Sequence, residues 1–466
     1  MLEKLYFYYT NDLHSHFDHW PHVTAFLKER QAKRKAKNES HWLIDIGDHI
    51  DRMHPIAEAF MGKANVKLMN DVGYHFATIG NNEGITLPHD DLFHLYDEAD
   101  FQVACTNLHS LTDEEPAWLK RTIEFESPTG IKIGILGLTA PFNDFYELLD
   151  WHVSSPHEAL EKHVSQLKKR TDIIILMSHL GISEDRAIAR NFSEIDVIIG
   201  GHTHHLLRTG EEVNETLLTA AGKYCAFAGE VILTWDHEKK RLHKKEAYTT
   251  DVTHMEKDDP TQETLRQLSI RANEHLNKTV VHIHRPIEVS WFKPTKIMHE
   301  LTNTVKEWTG AECAMLNSGL LLDHFAAGAV TYKDVHRICP HPINPCVVEM
   351  SGDEIKEVVR VSTTKEFTQY QLNGLGFRGK VIGKMIFSGL DVDVGTHENG
   401  QIYIKHVSFN KEPLQADREY SVAVADMFTF GRLLPEVAKS KVKKYFLPEF
   451  LRDLLAHTLQ TKFSNH

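Results

Sequence analysis

What this chain lacks narrows its identity before any motif is read. Its five cysteines, Cys105, Cys225, Cys313, Cys339 and Cys346, form no Cys-x-x-Cys pair. That excludes a disulfide framework and a structural zinc ribbon. Positive charge is in deficit, with 52 Lys and Arg against 65 Asp and Glu and a net charge of −13. Non-specific binding of a nucleic-acid polymer depends on neutralising phosphates, so no such partner is expected. No apolar run is long enough to span a bilayer, and no membrane partner is expected. The opening Met-Leu-Glu-Lys-Leu-Tyr-Phe has neither a basic leader region nor a small-residue cleavage site. A reducing, cytoplasmic location is the expectation from these features. Internal repeats and low-complexity tracts are also missing, and no feature identifies a protein partner.

What is present starts with length. At 466 residues the chain exceeds what one hydrophobic core normally organises, so two domains are expected. Apolar and aromatic runs predict strands at 4–10, 42–46, 74–79, 101–105, 131–138, 172–177 and 196–199. Helical patterns fall between them at 21–37, 55–72, 88–98, 157–170 and 183–193. Three further strands, near 216–220, 225–235 and 242–250, follow without helices. Alternating βα units and then a β-run predict an α/β layered sandwich over residues 1–253. Residues 254–279 read as a helical linker, with Asp259 as N-cap and Pro260 at the first helical position. A second α/β domain is expected over 280–466. Its helices lie near 295–308, 352–364 and 445–460, and its strands near 312–316, 346–350, 381–393, 402–409 and 419–425.

The strand Leu43-Ile44-Asp45-Ile46 stops on Gly47 and presents Asp48 at its carboxyl end. In α/β sheets ligands collect outside those ends. Other strands of the first domain end in the same way, on Asp12 and His14, on Asn81, on His179, and on His202 and His204. One Asp-x-His, or one Gly-Asp after a strand, is ordinary turn chemistry. Five such ends in one half of a chain are not. Two carboxylates, one amide and four imidazoles without a thiolate suit Mn, Fe, Zn or Co. With Asp48 shared, the set divides into Asp12, His14, Asp48 and His204 for one divalent ion and Asp48, Asn81, His179 and His202 for a second. Two cations about 3.5–4 Å apart can generate hydroxide near neutral pH and clamp the attacking and leaving oxygens of an in-line displacement. Phosphoester hydrolysis requires that stabilisation.

Asn11-Asp12-Leu13-His14, Gly47-Asp48, Gly80-Asn81-Asn82-Glu83, Ser178-His179 and Gly201-His202-Thr203-His204 resemble the motifs of the calcineurin-like metallophosphoesterases. The two-domain length resembles their 5′-nucleotidase family. The Gly-Asn-Asn-Glu-Gly variant is similar to its cytoplasmic bacterial branch, the bifunctional metallophosphatase/5′-nucleotidases. The resemblance implies a four-layer α/β/β/α catalytic sandwich and a C-terminal 5′-nucleotidase-type α/β domain that closes over substrate. It also implies hydrolysis of small phosphorylated molecules, nucleotide-like monoesters or cyclic diesters, with Asn82 and His202 hydrogen-bonding the phosphoryl oxygens.

Departures from the family pattern are specific. The usual Gly-Asn-His motif carries a histidine where this chain has Asn82. An amide donates a hydrogen bond but does not shuttle a proton near neutrality, and lost acid catalysis typically costs about 10²–10⁴-fold. Either the leaving group is a good one or another group donates, with His49, His54 and His205 as candidates. In the second domain the family's Asn-Gly-Gly-Gly-Ile-Arg appears as Asn317-Ser318-Gly319-Leu320-Leu321-Leu322. Asn317 is retained and the arginine is not. One base-stacking phenylalanine would fall at Pro345, and the other matches Phe428. Arg378 stands near enough in the loop 376–380 to supply charge to a phosphate. Gly62-Lys63 is not a P-loop, and Cys339-Pro340-His341-Pro342 has no second Cys/His pair nearby. Two alternatives stay open here, a nuclease on the same fold and a metal-loaded regulatory protein whose catalysis has decayed.

Overall fold

The computed structural model describes residues 1–398, 402–431 and 433–464. The chain divides into two compact units, Met1–Ala272 and Asn273–His466. The predicted linker is one helix, Asp259–Leu276, and the division falls within it. Its cap is one residue earlier than expected. Asp258 Oδ2 accepts from Thr261 N at 3.1 Å, which makes Asp258 the capping residue and places Asp259 in the first turn.

Two large sheets form the core of the first unit. One has seven strands in the order Arg241–Asp251, Phe227–Asp236, Leu2–Thr10, His41–Asp45, Phe76–Ala77, Gln102–Ala104 and Leu119–Lys120. The other has six, Glu211–Val213, Thr216–Thr219, Val197–Gly200, Ile173–His179, Lys132–Thr139 and Thr122–Glu126. Leu5, Phe7, Tyr9, Ile44 and Ile46 of the first sheet pack against Ile133, Ile135, Ile173, Ile175 and Val197 of the second, all buried. Strands covered on both faces need continuous apolar runs, which is how Ile173-Ile174-Ile175-Leu176-Met177 reads. The outer face of the second sheet is covered by the helices Pro156–Lys168 and Ile182–Asn191, through Leu160, Val164, Leu167 and Ile188. On the first sheet the helix Trp20–Ala36 sits outside, with Phe26 edge-on to Tyr8 and Arg34 donating to the Tyr8 hydroxyl. These are the four layers, α/β/β/α.

The helix expected over 55–72 is two, Pro55–Phe60 and Lys63–Val72, because Met61 (φ 46°) and Gly62 (φ 82°) take left-handed backbone between them. Pairing positions the site. Leu2–Thr10, His41–Asp45 and Phe76–Ala77 run parallel to one another, and so do Ile173–His179 and Val197–Gly200. Their carboxyl ends therefore emerge together.

The second unit holds a five-stranded mixed sheet, Met385–Ser388, Cys313–Asn317, Glu419–Ala425, Pro345–Ser351 and Lys443–Tyr445. The helix Lys296–Thr309, with Ile297 and Leu301 buried, packs on it, and the helix Leu451–Lys462, with Leu455 and Leu459 buried, packs against that helix. The strand expected over 381–393 is split at Gly389, whose φ of 78° ends Met385–Ser388 and starts Leu390–Thr396 in a separate three-stranded sheet.

Candidate metal centre

The strand ends of the first unit bring all seven expected ligand residues into one region. Asp12, His14 and His204 form one group and Asp48, His179 and His202 a second, with the ligand atoms of each group within 4.8 Å of one another. The groups touch. Asp48 Oδ2 lies 3.5 Å from His14 Nε2 and 3.3 Å from His179 Nε2, so its carboxylate stands between them. Asp12 Oδ1 is 3.4 Å from His204 Nε2 and 3.9 Å from His179 Nε2. Asn81 Oδ1 is 2.8 Å from His202 Nδ1, which adds the amide to the second group. Asp12, Asp48 and His179 form a buried floor, while His202 and His204 stand at a partly open edge.

The backbone here is held against its preference. Asp12, His14, Asp48, His202 and His204 all have φ between 48° and 69°. Left-handed backbone costs a non-glycine residue about 1–3 kcal/mol, and Asp and His are among the types that adopt it. Gly47 and Gly80 have no freedom to change, since a Cβ on Gly47 would run into the Gly80 backbone and one on Gly80 into the Asp48 carboxylate. Glu83 ties these loops together. Its buried carboxylate accepts from Gly80 N at 2.9 Å, Asp48 N at 3.0 Å and Ile50 N at 2.9 Å.

Electrostatics separates the acids. Burial opposes ionisation of Asp12, but hydrogen bonding from His14 and His204 and the charge of His179 outweigh it and hold the carboxyl well below its ordinary range. Asp48 is lowered in the same way, against burial, chiefly by His179. Burial and the Asp48 charge push Glu83 up to about 6. His202 is pushed down to about 4 by burial and by the neighbouring His179.

His179 tests whether these residues fit a cation. Its Nδ1 lies 2.7 Å from the Ile46 carbonyl, which only accepts, so Nδ1 carries the proton. Its buried Nε2 has no hydrogen-bond partner and faces the Asp48 and Asp12 carboxylates. Two carboxylates facing this nitrogen call for positive charge at that point, which a second ring proton or a bound cation supplies. The donor set fits a divalent ion.

Residues 5–206 match the calcineurin-like phosphoesterase family, and residues 275–432 match the 5′-nucleotidase C-terminal domain. The metallophosphoesterase YunD of Bacillus subtilis is 40% identical over 460 residues, covering 98% of this chain and 100% of that protein. The chain belongs to the calcineurin-like metallophosphoesterases. A 5′-nucleotidase of Vibrio vulnificus is 25% identical over 428 residues, 78% of this chain and 76% of its own. Among solved structures, the NAD nucleotidase of Haemophilus influenzae aligns with a TM-score of 0.67 at 15% identity, covering 99% of this chain and 97% of that one. The 5′-nucleotidase precursor of Thermus thermophilus aligns with a TM-score of 0.60 at 19% identity, with 99% and 97% covered. At those identities the solved structures show the two-part fold. This metallophosphoesterase is a phosphoester hydrolase. No helix among its described residues is long and apolar enough to cross a membrane.

Other expected site residues are placed differently. Asn82 Nδ2 lies 2.9 Å from His14 Nδ1 and 3.2 Å from the Ile50 carbonyl, so its amide is engaged with His14 rather than open to a phosphoryl group. His49 is buried against Trp20, shares its Nδ1 with Asn65 and is pushed down to about 3 by burial, which removes it as a proton donor. His54 accepts from Ile56 N as a helix cap, and the exposed His205 pairs with Thr203. In the second unit Asn317 is fully buried and donates to the Ile382 carbonyl. Phe428 is 1% exposed and stacks on Phe367, so the ring expected to carry a base has no open face and is a core residue. Arg378 donates through its guanidinium to the Phe377 carbonyl. Both nitrogens of His341 are used, by the Leu320 carbonyl and by Arg378 N, which removes it as a zinc ligand.

Three residues given no role by the sequence motifs support the cluster. Asn11 donates to Asp12 Oδ2 and to the Gly222 carbonyl, fixing Asp12 against a distant loop. Tyr224 donates its N–H to the Asp12 carbonyl, and its ring lies 3.7 Å from that of His16. It follows the strand Thr216–Thr219, so the strand-end rule reaches it. Asp51 Oδ2 stands 3.7 Å from His14 Nδ1, three residues beyond Asp48 in a loop that no pattern singles out.

Proposed function

We propose that this metallophosphoesterase hydrolyses small nucleotide-like phosphoesters at a centre of two divalent ions. Asp12, His14, Asp48 and His204 would hold one ion, and Asp48, Asn81, His179 and His202 the other. The carrying observation is the Asp48 carboxylate, which stands within 3.5 Å of imidazoles from both groups. When bound, such ions acidify water and polarise the phosphoryl oxygens. The chain's own residues hold the arrangement. Asp48 is fixed by the Asn82 N–H on Oδ1 at 2.7 Å, which leaves Oδ2 directed at His14 and His179. The His202 N–H grips the Asp12 carboxylate from the other side at 3.1 Å. His202, half-buried beside Phe142, faces the open edge where a phosphoryl group would enter.

Nucleotides are the substrate class supported by the 5′-nucleotidase C-terminal match and the name of the Vibrio relative. The net charge of −13 disfavours a polymeric substrate. Five buried cysteines, all free, support a reducing compartment. The test is a panel of nucleoside monophosphates, cyclic diesters and simple phosphoesters, run with Mn²⁺, Co²⁺ and Zn²⁺ added separately to metal-stripped wild type and Asp48→Asn. Turnover on nucleotides that depends on added cation and disappears in the variant is the expected result. Full activity in Asp48→Asn with unchanged metal content would refute the site.

A further inference from the structure

His14 sits in a loop at φ 48°, so no regular element fixes the direction of its ring. Its two edges face different surroundings. The Nε2 edge looks into the cluster, 3.2 Å from His204 Nε2, 3.5 Å from Asp48 Oδ2 and 3.7 Å from Asp12 Oδ1. The Nδ1 edge is backed by Asn82 Nδ2 at 2.9 Å, with Asp51 Oδ2 behind at 3.7 Å. Asn82 is itself anchored, through its backbone N–H on Asp48 Oδ1 and its amide on the Ile50 carbonyl. Asp51 is 1% exposed and held by Met53 N on its other oxygen and by its own N–H on Ser15.

We propose that Asn82 is a positioning residue, which with Asp51 clamps the Nδ1 edge of His14 and so aims its Nε2 at the cation of the Asp12, His14 and His204 group. The inference rests on the two-cation reading above, but assigns Asn82 a different task from the expected one on substrate. An imidazole that ligates through Nε2 carries its proton on Nδ1 and needs an acceptor there. An amide supplies one by a turn about its last torsion, because its oxygen and nitrogen are nearly isosteric; the turn gives up the Ile50 bond and leaves the backbone N–H on Asp48 Oδ1 as the anchor. The Asp51 carboxylate adds negative charge on the same side, which raises ligand basicity. Partners of this kind typically contribute about 10–100-fold in metal affinity.

Cobalt titration of metal-stripped protein, read by isothermal calorimetry and by the visible absorption of bound Co²⁺, tests this. Wild type should take up two equivalents. Asn82→Ala should keep one and bind the other about 10–100-fold more weakly, with an altered absorption band. Asp51→Asn should weaken the same equivalent. Asn82→Asp, which still accepts from Nδ1–H, should restore it, and the surviving equivalent in every variant reports that the fold is intact. If Asn82→Ala binds both equivalents as tightly as wild type while only kcat falls, Asn82 acts on substrate and the positioning role is wrong. If wild type itself takes up no cobalt, the two-cation reading fails along with it.

Discussion

Replacing Glu83 by Gln changes one atom at the junction of the loops that carry Asp48 and Asn81, and its cost can be worked from the contacts. Three backbone N–H groups converge on the carboxylate, two on Oε2 and one on Oε1. A carboxamide has one oxygen. Placed where Oε2 was, it keeps Gly80 N and Asp48 N as neutral bonds, and its NH₂ then confronts the Ile50 N–H donor to donor. A hydrogen bond to a charged group contributes about 1.5–3 kcal/mol and a neutral one about 0.5–1.5, so one bond is lost and two are weakened. Relief from burying a charge offsets part of this, leaving a net loss of about 2–4 kcal/mol. For a unit of this size that lowers the melting temperature by about 5–15 °C. Calorimetric melting of Glu83→Gln beside wild type measures it, with exposed Glu161→Gln as the control expected to melt with wild type. The loops that move carry Asp48 and Asn81, so calorimetric titration should also show weaker cation uptake. Should Glu83→Gln melt together with Glu161→Gln, the three-bond clamp does not hold these loops and the reasoning fails.

Two further outcomes concern the second unit. Burial pushes Asp426 up to about 7 from an ordinary 3.8, so the folded protein holds a proton that the unfolded chain releases. Stability should therefore fall as pH rises from about 4 to about 7, by up to about 1.4 kcal/mol per pH unit, and level off above. Asp426→Asn keeps an acceptor for Asn344 N and should show a shallower slope than wild type in denaturant titrations across this range, and an unchanged slope would show that Asp426 does not contribute to it. Phe428→Leu should lose about 1–2 kcal/mol in the same assay and leave KM for a nucleoside monophosphate unchanged, as befits a core ring. A KM rise of about fivefold or more, the equivalent of a lost stacking partner, would return Phe428 to the substrate site.

The sequence made the first unit's chemistry legible because its strands are covered on both faces. Continuous apolar runs such as 172–177 stand out, and the polar residue just past each run is then forced to the sheet edge. Parallel pairing brings those edges together without further information. Local backbone events were not visible in the same way. The helical period runs unbroken through Met61 and Gly62, although the chain turns left-handed there. At 258–259 two adjacent aspartates compete for one cap, and composition does not choose between them. Side-chain direction was the least legible property. Asn82 and Asp51 meet His14 from 68 and 37 positions away, through loops whose course depends on Glu83 and on glycines at 47 and 80. Phe428 satisfied a motif position, but the motif says nothing about whether a neighbouring ring closes over it.

Where the buried acids sit explains why the centre is confined to one part of the sheet edge. Asp12, Asp45, Asp48, Asp51, Glu83 and Asp185 are each no more than 2% exposed. Three of them are pushed toward the neutral form, Asp45 to about 8, Asp185 to about 7 and Glu83 to about 6, in each case first by burial. Their partners are hydroxyls and backbone N–H groups: Thr10 and Gly47 for Asp45, Ser178 for Asp185, and the three loop N–H groups for Glu83. Such carboxyls shape loops without requiring a counter-ion. Asp12 and Asp48 are pushed the other way, and both face imidazoles of the cluster. Environments that drive neighbouring carboxyls apart in this manner mark a division of labour. The acids pushed up stand behind the loops, and the pair pushed down stands among the imidazoles.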